Sequence, residues 1–218
     1  MSDARVRSAA RFPDHGMGGL GQVAHGVLHD AREAGAVAEP RLFLGLNTLP
    51  DPPFPVVGYI GFPAAPGAWQ ACGENLVVFL ESAVGSLRAQ PVPPGSAYGP
   101  EHHRMQRLLR QDAIVMSYPA YMVLPEESSA GRAVLDNLTE GYLLPEDLEL
   151  SPGARMTELA WAVERSGARR IMLLPPGAAG DTVYALNADA ADGKGTVVLD
   201  LLAELLDAQY TWSRKVFG

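Results

Sequence analysis

Cysteine is almost missing from this chain: Cys72 is the only one in 218 residues. A single thiol excludes an internal disulfide framework and any structural zinc site assembled from several thiolates. It points to a reducing compartment, so the expected location is the cytoplasm or a virion assembled there. Lysine is scarce as well, with only Lys194 and Lys215, and the 17 basic residues are outnumbered by 25 acidic ones for a formal charge of −8. The arginines are scattered and leave no stripe that could neutralise a nucleic-acid backbone or hold anionic lipid, so neither partner is expected. No apolar run reaches the roughly 20 residues needed to span a bilayer. Residues 1–11 carry Arg5, Arg7 and Arg11 without a following apolar segment, which argues against a secretory signal.

Hydrophobic residues, by contrast, make up 47% of the chain, enough for a well-formed core in a single domain over residues 1–218. The clearest interruption is 91–100, where Pro91, Pro93, Pro94, Gly95, Gly99 and Pro100 could instead join two lobes. Ahead of it, Leu20, Val23, Ala24, Val27, Leu28, Ala31 and Ala34 recur at helical spacing, and Gly35 supplies a stop, which predicts a helix over 20–34. Residues 41–46 and 56–60 read as short strands separated by the prolines at 50, 52, 53 and 55. A second helix is predicted from 74 through Leu76, Phe79, Leu80, Ala83, Val84 and Leu87.

Beyond the interruption the pattern predicts a short helix over 101–111, a strand over 113–116 and a helix over 130–140. Ser151-Pro152 reads as a helix start, with Met156, Leu159, Ala160 and Val163 as its buried face. Residues 170–174 and 182–186 read as strands joined by the Pro/Gly-rich loop 175–180, and 196–212 as a closing helix. Helices interleave with strands and nothing repeats, so the expected class is α/β or α+β, a mixed sheet covered by helices.

The closing helix carries one narrow polar stripe, Asp200, Glu204, Asp207 and Thr211, while apolar residues fill most of its remaining circumference. Such a helix must be buried on two sides. Leu201, Leu202, Leu205, Leu206, Tyr210 and Trp212 are therefore candidate interface residues for a protein partner or a second copy of the chain.

The other candidate site is the run Gly16-Met17-Gly18-Gly19-Leu20-Gly21, which opens into the first helix. Glycines there let the backbone turn free N–H groups toward an anion, making Gly16, Gly18, Gly19 and Gly21 candidate ligands for a phosphate. With Val23, Leu28, Ala31 and Gly35, the pair Gly18-Gly19 resembles the phosphate-facing entry loop of GT-B glycosyltransferases. That resemblance implies a phosphorylated ligand. The chain departs from those enzymes in lacking an apolar strand before the loop and the length for a nucleotide-sugar domain. The missing strand also counts against a dinucleotide site, although Gly16, Gly18 and Gly21 have its spacing.

His25 and His29 stand four apart and could share a metal from one helical side, but no glutamate lies between them and they fall on the polar side, so solvated histidines and no metal are expected. Cys72, before an apolar helix, has the position of an activated thiol without the preceding apolar strand or a recognisable histidine partner, and is expected to be structural. Ser117 lacks the flanking glycines of a nucleophile elbow. Loop 176–182 lacks the lysine of a triphosphate loop. With no catalytic constellation and no cofactor motif, the expected function is a non-catalytic subunit acting through protein contacts in a larger bacterial or viral assembly. The alternative is a small enzyme or binding protein for a nucleotide or sugar phosphate held at residues 16–21.

Overall fold

A computed structural model describes residues 7–8, 18–35, 39–48, 57–94, 97–123, 154–174, 184–186 and 196–217. In chain order the elements are β1 (Arg7–Ser8), α1 (Gly18–Glu33), β2 (Arg41–Thr48), β3 (Val57–Phe62), α2 (Ala68–Ala71), α3 (Leu76–Ala89), α4 (Pro100–Leu108), β4 (Leu109–Val123), β5 (Ala154–Glu164), β6 (Arg169–Leu174), β7 (Tyr184–Leu186) and α5 (Thr196–Phe217). The strands form one sheet in the order β1-β3-β2-β4-β5-β6-β7, and every described pair is antiparallel. The α/β class with a helix-covered sheet is therefore present, with neighbouring strands running in opposite directions. β2 and β4, which flank segment 91–100 in sequence, are hydrogen-bonded neighbours from Arg41↔Ser117 to Thr48↔Leu109.

Alternation along each strand divides the core in two. Leu42, Leu44, Ile114, Met116, Val163 and Ile171 point to the side covered by α3 and α5. Ala113, Val115, Ala160, Ala162, Met172 and Leu174 point to the side covered by α1. The helix expected over 20–34 is α1, and Leu20, Val23, Ala24, Val27, Leu28 and Ala31 are all buried as its periodicity requires. It ends at Gly35, whose φ of +80° is a conformation that costs glycine little. Within α1, Gly26 leaves a notch for Tyr59: a Cβ there would stand 2.9 Å from Tyr59 Cε1. The Tyr59 hydroxyl crosses the next turn to donate to Asp30 Oδ2 at 2.7 Å.

The start of α3 is fixed by Asn75, whose Oδ1 accepts from the backbone N–H groups of Val77 and Val78, each at 3.1 Å. The short helix over 101–111 is α4, three residues shorter at its end, because the chain becomes β4 at Leu109. That strand runs well past the expected 113–116. Pro119 lies two residues beyond the last β2 partner, Ser117, in a stretch with no described neighbour on the β2 side, where a missing N–H is tolerated.

One expectation is overturned. The segment after Ser151-Pro152 is the strand β5, not a helix. β5 lies between β4 and β6 with helices over both of its faces. Leu159, Ala160, Ala162 and Val163 are all buried, and a doubly covered strand gives a near-continuous apolar run that mimics helical spacing. The expected helix over 130–140 lies outside the described residues.

Candidate binding groove

The side of the sheet under α3 and α5 is closed at one half and open at the other. α5 lies over β4 and β5 and leans on α3, burying Leu199, Leu202 and Leu205 completely. Over β2 and β3, between the sheet and α3, a groove of about 750 Å³ remains. Leu42, Leu44, Ile60 and Phe62 form its floor, and Ser82, Ala83, Ser86 and Ala89 form the α3 wall. Its volume falls within the range of about 300–1,000 Å³ typical of ligand sites. Among the described residues that line it, none is ionisable.

The groove has two chemically distinct ends. At the first, Phe62, Phe79 and the 63–68 segment are apolar. At the other, Gln209 Nε2 donates to Gln111 Oε1 at 3.2 Å, and Gln90, Pro91 and Trp212 complete the lining. Gln209 is only 9% exposed and Gln111 is half-buried. Trp212 is held there by its Nε1, which donates to the Pro91 carbonyl at 3.3 Å. The arrangement offers apolar contact along most of its length and neutral hydrogen-bonding groups at one end.

The candidate interface residues of α5 have mostly found partners within the chain. Leu202 and Leu205 are 0% exposed and Leu206 is 2% exposed, all in the core shared with α3 and the sheet. Leu201 packs against the same core from the half-buried margin. This corrects the expectation of an external face at these positions: the two-sided burial that the sequence requires comes from α3 on one side and the sheet on the other. Tyr210 is half-buried under the Arg165 guanidinium, 3.3 Å from its ring centroid. A hydrogen bond from Arg165 and the nearby positive charges of Arg165 and Arg214 hold its hydroxyl below the usual tyrosine range. Asp200 and Glu204 of the exposed polar stripe pair with Arg169 at 2.7 Å and Arg88 at 2.9 Å.

At the glycine run, Gly18, Gly19 and Gly21 lie in the first turns of α1, and Gly16 lies outside the described residues. Beside Gly19 is a cleft of about 30 Å³ whose lining includes the carboxylates Asp112 and Glu164. It is an order of magnitude below the smallest of the about 300–1,000 Å³ pockets that hold ligands. Two carboxylates suit the positive end of a helix, and they oppose a phosphate in the same place.

The two helical histidines do not share an environment. His25 is 6% exposed, against the expectation that it is solvated, because it shares a helix turn with Val23, Ala24 and Val27 under close cover. His29 is exposed, with Nδ1 3.5 Å from Glu33 Oε1. Cys72 ends the four-residue α2 and packs half-buried against the larger core. Ser117 is buried within β4.

Spacing does not reveal the groove, because residues from five separate segments line it. The one local signal is α3 itself, where Leu80, Val84 and Leu87 mark a heavy face and Ser82, Ala83, Ser86 and Ala89 a light one. Comparisons of the chain with models of protein families, with curated proteins and with solved structures give no match. Among the described residues no helix is long and apolar enough to cross a membrane.

Proposed function

We propose that the protein acts by binding, as a non-catalytic subunit of a larger assembly in the cytoplasm or in a particle assembled there, and that its contact is made through the groove beside α3. The observation that carries this reading is the apolar floor of Leu42, Leu44, Ile60 and Phe62, left beneath an open volume of about 750 Å³. Among the described residues the cores on both sides of the sheet are otherwise well covered, and an open apolar floor is what a binding surface requires. The charge of −8 and the scattered arginines favour protein over nucleic acid as the partner.

Placing a photo-crosslinking side chain at position 86, in the groove, and separately at position 33, on the far side of the sheet, tests this in cells of the source organism. A discrete adduct from position 86 and none from position 33 is the expected result. Equal yields from the two positions would remove the groove from the contact. The rival reading, a nucleotide or sugar phosphate at Gly18, Gly19 and Gly21, rests on the free amides of the first turn of α1 and is opposed by Asp112 and Glu164. Saturation at a hundred times the dissociation constant would stabilise the fold by about 2.7 kcal/mol, and a thermal shift of that size with any such ligand would reverse the order of the two readings.

A further inference from the structure

We draw no further inference here: the strongest candidate, the apolar groove over β2 and β3 beside α3, belongs to the site already described, and nothing in the structure shows what covers it.

Discussion

The two faces of the sheet use the same kinds of residue and reach different ends. Under α1 the sheet presents the small side chains Ala113, Ala160 and Ala162, and the helix answers with Val23, Val27 and Leu28, none more than 2% exposed. Where a large sheet residue does rise, at Tyr59, the helix yields a glycine. Under α3 the pairing is also large against small, Leu42, Leu44, Ile60 and Phe62 against Ser82, Ala83 and Ser86, yet α3 leans on α5 and a groove remains. Closure therefore depends on whether complementary surfaces are brought to a short spacing, more than on how apolar they are.

Truncation at the centre of each face should separate them most. Leu28→Ala and Leu205→Ala each remove a side chain with no exposed surface and should cost about 2–5 kcal/mol in denaturant unfolding. Leu44→Ala would open into the existing groove. It leaves no new enclosed cavity, and its cost should fall at or below about 2 kcal/mol, the lower end of that range. If Leu44→Ala is as damaging as Leu28→Ala, the two faces are equally sealed and the comparison fails.

Filling should give the opposite contrast. On the α1 face, Gly26→Val drives a branched side chain into the Tyr59 ring, which is fixed by Asp30 and by an edge contact with Phe43 at 5.8 Å between centroids. The expected cost is about 1–3 kcal/mol, and combining it with Tyr59→Ala should cost less than the sum of the two changes. On the open face, Ser86→Trp enters free volume, and its effect on unfolding should stay within about 0.5 kcal/mol.

Much of the closed face was legible in the sequence, and little of the open one was. The apolar positions of α1 repeat at helical spacing and end at a glycine, and Leu20, Val23, Ala24, Val27, Leu28 and Ala31 are buried as the repeat marks them, although it misses His25 and includes the exposed Ala34. β5 was hidden for a physical reason: a strand covered on both faces loses its alternation, and Leu159-Ala160 with Ala162-Val163 then resembles a helix face. The fatty girth of α5 correctly required two covered sides, but no pattern within that segment could tell whether α3 or another molecule supplied the second. The groove is a product of tertiary spacing among β2, β3, α3, β4 and α5, and only the light stripe on α3 hinted at it.

Because α3 forms the wall of the open face, its anchoring has a measurable share in the comparison. Asn75→Ala leaves the Val77 and Val78 N–H groups without their side-chain acceptor and should cost about 1 kcal/mol of stability. Any binder of the groove should weaken with it, whereas a ligand at the start of α1 should not, so a titration of both separates the two sites.

The smallest effect reads the margin of the closed face by pH. On the alternation of β5, Glu158 shares a side with Ala160 and Ala162. Partial burial pushes its carboxyl up from the ordinary 4.5, and Arg41 pulls it partly back. A carboxyl raised in the fold favours the protonated form, so its contribution is fully present below the ordinary value and is lost as pH rises through the raised one. Glu158→Gln supplies a neutral side chain at every pH. It should therefore match the wild type near pH 4 and become the more stable protein toward pH 8, as followed by melting temperature. Arg41→Gln in the wild-type background should widen the gap by removing a charge that favours the carboxylate. A gap that does not change with pH would mean that water reaches Glu158 freely, and that the α1 face is less tightly closed at its margin than the burial of Ala160 and Leu174 beside it implies.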